Sequence, residues 1–254
     1  DGCRLSGAEF RVFRHRDVVQ LDGLLGKHAH RRPTLIVTDG VFSMDGDLAP
    51  LPELVGLMER YETQLFVDDA HGTGVMGVNG RGTLEHFNLE SRIPFHMGTL
   101  GKALGTSGAY IAGPERFISY VLNRARSFIY TTAPPPATAA ASIAALDVIR
   151  SEPERRARLW DNQARLQAGF RDLGFRLTDS RSPILPVLIG DPQKAMAMAD
   201  RLFARGVYAP AIRPPTVPKD SSRIRFTVTS EHTAEQIATV LAACTQAGQE
   251  LGLI

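Results

Sequence analysis

The sequence predicts an α/β fold in three layers, α/β/α around a mostly parallel sheet, followed by a small α+β C-terminal domain. Three observations predict it. Short apolar runs alternate with amphipathic stretches through the first half, the texture changes near Arg150, and strand pairs interleaved with helices fill the rest. Strand, helix, strand in succession calls for a parallel sheet, because parallel neighbours need a crossover and the crossover helix lies over the sheet. The expected domain limits are 1–150 and 151–254.

In order, strands are expected at 9–15, 34–41, 64–69, 95–100 and 107–112, with helices at 17–28, 51–61 and 114–126. In the helix at 51–61, Leu51, Leu54, Val55, Leu57 and Met58 share one face, the spacing of an amphipathic helix. Pro134-Pro135-Pro136 opens an Ala-rich helix to about Ile149, and the charged stretch 150–158 leads into a long helix ending at Leu173. Strands at 175–178, 184–189, 207–212 and 223–229 then combine with helices at 193–205 and 233–251.

Composition narrows the classes. The 254 residues are 43% hydrophobic and 22% charged, the profile of a globular chain long enough for a sizeable core. A net charge of +2, with basic residues scattered, gives no reason to expect nucleic acid or a membrane as partner. Cys3 and Cys244 form no metal-ligand or redox spacing, so a metal is not expected and a reducing, cytoplasmic setting is the simplest expectation. No apolar stretch approaches the roughly 18–20 residues that span a bilayer.

Two clusters could carry chemistry. The first is Val67-Asp68-Asp69-Ala70-His71-Gly72, an apolar strand ending in two carboxylates and an imidazole. Ligands of open α/β sheets bind at such carboxyl ends, although an isolated Asp-Asp-x-His is more often a capped loop. The second is Met97-Gly98-Thr99-Leu100-Gly101-Lys102-Ala103-Leu104-Gly105. Only four of the 29 basic residues are lysines. Lys27 is expected in a surface loop, Lys194 at a helix start and Lys219 after a proline turn. Lys102 alone has an apolar approach, which is expected to desolvate its amine. Ser43 sits at a strand end, Thr131 and Thr132 precede the triple proline, and Arg223-Ile224-Arg225 lies on a strand. The two guanidiniums are expected on opposite sides, one solvated and one reaching an anion. Taken singly, each of these is more often structural.

Asp68-x-x-His71 followed by Thr99-x-Gly101-Lys102 resembles the α-oxoamine synthases, fold type I (aspartate-aminotransferase-like) enzymes that use pyridoxal 5'-phosphate. The resemblance covers the whole chain. It implies that Lys102 forms the imine with the cofactor and moves protons at the substrate carbon, while Asp68 pairs with the ring nitrogen. It further implies His71 and Ser43 at the phenolic oxygen, Thr99 on the phosphate, and Thr131 or Thr132 on the phosphate of a neighbouring subunit in a homodimer with shared active sites. Arg225 is the choice for the amino-acid carboxylate, with Arg223 left open. The segment Ile212-Arg213-Pro214-Pro215-Thr216-Val217-Pro218 is similar to the branch that joins L-alanine to a pimeloyl thioester in biotin biosynthesis. The near rival is the branch that uses glycine and acetyl-CoA. From another class, the rival is a non-catalytic homologue serving in assembly. Family members begin well upstream of Asp1, and that upstream part carries a glycine-rich phosphate loop and a ring-stacking histidine.

Overall fold

In the computed structural model, which describes every residue but Arg32, with Arg31 described by its backbone only, the first half is built on a four-stranded sheet. Its strands are β1 (Leu35–Asp39), β2 (Gln64–Asp68), β3 (Phe95–Thr99) and β4 (Ala109–Ala112), in that order across the sheet. β1, β2 and β3 run parallel and β4 closes the edge antiparallel. The alternation of a strand divides the two faces. Ile36, Leu65 and Val67 are buried against Leu21 and Leu25 of the helix Val18–His28 and Leu51, Leu54 and Val55 of the helix Leu51–Arg60. The first of these helices starts where Asp17 accepts a hydrogen bond from the Gln20 amide.

The other face is open over much of its area. Leu35, Val37 and Ile111 are exposed there at 55%, 41% and 46%. Phe117, from the helix Glu115–Arg124, meets Phe95 on this side with ring centroids 4.6 Å apart.

The second half holds the antiparallel sheet β5 (Ile184–Gly190), β6 (Ala211–Ile212) and β7 (Ser222–Thr227), in the order β5-β7-β6. Helices Pro153–Asp172, Pro192–Ala204 and Ala234–Glu250 build its core, in which Phe170, Leu202 and Ile224 have no exposed surface. The last helix is started by a capping box of Thr233 and Gln236, which satisfies two amides the helix itself cannot.

Several expected elements are corrected. Residues 9–15 form no strand: Phe10 and Val12 are exposed, and alternation without a neighbouring strand leaves the backbone groups unpaired. Residues 175–178 contribute one isolated bridge, Leu177 to Val187. The strand expected at 207–212 shrinks to two residues, because Pro210 has no amide to donate. The helix expected over 114–126 ends at Arg124, where Ala125 turns extended before a short helix Arg126–Ile129. Lys27 lies in the last turn of a helix rather than in a loop.

Candidate active site

β2 ends at Asp68, and the pleat sends Asp68 and Asp69 in opposite directions. Asp68 is half-buried on the open face, with one carboxylate oxygen accepting from the Ala70 amide at 3.0 Å. Asp69 is 1% exposed and accepts from both the amide and the hydroxyl of Thr83, each at 2.7 Å. Burial pushes the Asp69 carboxyl up to about 6, against the pull of those two donors. A Cβ at Gly72 or Gly82 would collide with this carboxylate, and Gly82 also has φ +112°. Of the two neighbouring acids, one is a structural anchor and the other is presented.

His71 is half-buried just beyond the strand. Burial, then the charges of Lys102 and Arg225, hold its imidazole down to about 4 despite nearby Asp68. It is therefore neutral near pH 7, with one nitrogen donating and one accepting.

Lys102 lies in the turn after β3, its Nζ 3.4 Å from Thr99 Oγ1. The desolvation expected from the apolar approach is absent, since the residue is exposed. Its chain neighbours Gly101, Ala103 and Gly105 carry too little bulk to cover a long side chain.

The arginines also depart from expectation. Residues two apart on a strand share a face, and both guanidiniums turn to the same loop. Arg223, 3% exposed, donates to the Met44 carbonyl at 2.9 Å, to Asp45 Oδ1 at 2.6 Å and to the Ser221 carbonyl at 3.0 Å. Arg225 donates through Nε to the Ser43 carbonyl at 2.7 Å and through Nη1 to Thr227 at 3.2 Å. Half-buried and near enough to depress His71, Arg225 retains donors facing the cluster, whereas Arg223 is engaged with the loop.

The structure thus gathers Asp68, His71, Thr99, Lys102, Arg225 and the Ser43 turn at the carboxyl ends of β1–β3. Thr131 and Thr132 are not gathered there: they are exposed between the helices Arg126–Ile129 and Pro136–Ser151. The reading of the residues missed Asp39, at the end of β1, because its membership depends on strand register. His15, Asp45 and Asp47 also converge, but Asp45 is paired with Arg223 and Asp47 with Arg16 and His15.

The donor set suits a pyridoxal-type group. It offers an accessible amine, a carboxylate with an oxygen to spare, a neutral imidazole, hydroxyls and a guanidinium within one edge.

Residues 1–243 match the family described as aminotransferase class I and II. The chain is 46% identical over its whole length to 8-amino-7-oxononanoate synthase 1 of Bacillus velezensis, spanning 65% of that protein. Among solved structures, SPT with its PLP internal aldimine superposes with a TM-score of 0.96 at 36% identity, over 100% of this chain and 64% of that one. The 8-amino-7-oxononanoate synthase of Francisella tularensis superposes at 0.84 with 29% identity, over 98% of this chain and 71% of that one. The chain therefore spans about 65% of the length of the curated relatives it matches. It belongs to the aminotransferase class I and II family, on the α-oxoamine synthase branch with the fold type I architecture.

Proposed function

We propose that this chain carries the cofactor and amino-acid sites of an 8-amino-7-oxononanoate synthase, a pyridoxal-phosphate-dependent acyltransferase that condenses L-alanine with a pimeloyl thioester and releases carbon dioxide. The observation that carries this reading is the meeting of Lys102, Asp68, His71 and Arg225 at one sheet edge. Relatives that bear the synthase name support the choice of branch.

The cofactor, when bound, supplies an aldehyde and an electron-accepting ring. Lys102 would offer the amine for that aldehyde and a base to move the proton at the substrate α-carbon. Asp68 would hold a proton on the ring nitrogen by placing a negative charge beside it. His71 and the Ser43 hydroxyl would hydrogen-bond the phenolic oxygen, and Thr99 would hold the phosphate. Arg225 clamps the amino-acid carboxylate, a task suited to a planar guanidinium.

Thr131 and Thr132 would serve the partner subunit's phosphate in a homodimer, a reading supported by exposed Phe128, Ile129 and Tyr130 just before them in the chain. The division into 1–150 and 151–254 is supported by one large core in each half, joined through a smaller cluster of Val41, Leu48, Met76 and Ile184, and by the break between helices at Glu152. The described residues contain no helix long and apolar enough to cross a membrane. We take the setting to be cytoplasmic.

The test is a condensation assay with L-alanine and pimeloyl thioester, run beside glycine and acetyl-CoA, on this chain and on one extended upstream. Product from the first pair alone supports the reading. Product from the second pair alone assigns the glycine branch. No product from either, in the extended chain as well, favours a non-catalytic homologue.

A further inference from the structure

We propose that Asp39 is a positioning residue of this site, paired with Asp68 so that the two carboxylates together form a receptor for a protonated nitrogen heteroaromatic ring. The inference rests on the cofactor reading above and deepens it.

Asp39 is the last residue of β1 and the direct partner of Asp68, the last residue of β2. The Gly40 amide donates to the Asp68 carbonyl at 2.8 Å, so the two strand ends stay level. Adjacent strands lie about 4.8 Å apart, and paired residues point to the same face. The two carboxyls therefore stand side by side on the open face of the sheet. An acid at a strand end is ordinarily a solvated surface group. Asp39 is exposed as a residue, yet it is crowded by protein and faces charged groups from three other elements. These are Asp68 of β2, Lys102 from the turn after β3, and His15 from the segment before the helix Val18–His28. His15 is also engaged with Asp47 at 2.8 Å.

Two like charges in such a place repel, and the crowding that surrounds them weakens the solvent that would screen them. Burial and then Asp68 accordingly push Asp39 above the usual carboxylate range, while Lys102 and His15 pull it back. A cationic ring laid against Asp68 relieves the repulsion. A neutral ring of the same shape does not. The pair thus discriminates by the charge on the ring nitrogen, with Asp68 making the contact and Asp39 setting its field.

The experiment has two arms, both on the 254-residue chain. In the first, the unliganded protein is titrated by carboxyl 13C NMR. The Asp39 midpoint is expected to fall in Asp68→Asn, and an unmoved midpoint overturns the pair. In the second, dissociation constants are measured by absorbance for pyridoxal 5'-phosphate and for its 1-deaza analogue, whose ring nitrogen is replaced by carbon. Asp39→Asn is expected to cut the preference for the nitrogen-bearing ring by about fivefold, the size of one partly screened neighbouring charge, with affinity for the analogue unchanged. Equal losses for both ligands would mean general damage to the edge and would overturn the proposal. Failure of the unaltered protein to bind either ligand would sink the cofactor reading and the receptor role with it, and the first arm would still decide whether the carboxylates are coupled.

Discussion

The two halves of the chain use their sheets in opposite ways. The sheet of β1–β4 packs one face under helices and leaves Leu35, Val37 and Ile111 exposed on the other. The antiparallel sheet of the second half, by contrast, is locked into a core where Phe170, Leu202 and Ile224 have no exposed surface. Most of the candidate site residues, Asp68, His71, Thr99 and Lys102, belong to the loosely covered half, at or just beyond strand ends, and the second half adds Arg225. The second half contributes two arginines that hold the Ser43–Asp45 turn from behind. An accessible edge and a rigid brace are different packing problems, and each half solves one of them.

The largest expected effect breaks the chemistry and spares the brace. Lys102→Ala should abolish the adduct trapped by borohydride in the presence of pyridoxal phosphate, while Lys27→Ala, Lys194→Ala and Lys219→Ala should retain it. Peptide mapping of the adduct to another lysine would remove Lys102 from its role.

Next comes the contrast in packing. Phe170→Ala should cost about 3–5 kcal/mol, the usual penalty for emptying a filled core position. Val37→Ala on the open face should stay within about 0.5 kcal/mol, as surface changes do. Denaturant unfolding measures both, and similar losses would mean that the open face is covered in solution.

A finer cut separates two adjacent acids. Asp69→Asn should cost about 1–3 kcal/mol, because it disturbs a buried acceptor of two Thr83 hydrogen bonds. Asp68→Asn should leave folding almost unchanged and weaken cofactor binding and α-proton exchange of L-alanine. The reverse pattern would exchange the roles assigned to the two.

The smallest effect concerns pH. An unfolded histidine takes up its proton near pH 6.5, whereas His71 in the fold does so only at about 4. Between those values the unfolded state binds more protons, so His71 makes stability fall as pH falls. Asp69, at about 6 in the fold against 3.8, binds its proton earlier when folded and acts in the opposite sense. His71→Asn should therefore shift the slope of stability against pH one way between pH 6 and 4, and Asp69→Asn the other. Slopes that move together would contradict the assignment.

Much of this was legible in the chain. The strands ending at Asp68 and Thr99 follow from apolar runs stopped by acids and glycines, and the helix at Leu51–Arg60 from its apolar spacing. Lys102 stood out because primary amines are scarce here. Residues 9–15 and 175–178 carry the same alternation and still form no full strand, since a strand needs a neighbour that local sequence does not specify.

By itself, the sequence determined the order of elements and the inventory of reactive groups, because periodicity and residue type are local properties. Only the tertiary structure decided which of Asp68 and Asp69 is presented, since that depends on which face the helices cover. It also decided that Arg223 and Arg225 reach one loop, with the first engaged there and the second facing the cluster. The standing of Asp39 came last of all, from the register of β1 against β2. Each of these turns on what lies across the fold, and burial and register are set by contacts between residues far apart in the chain.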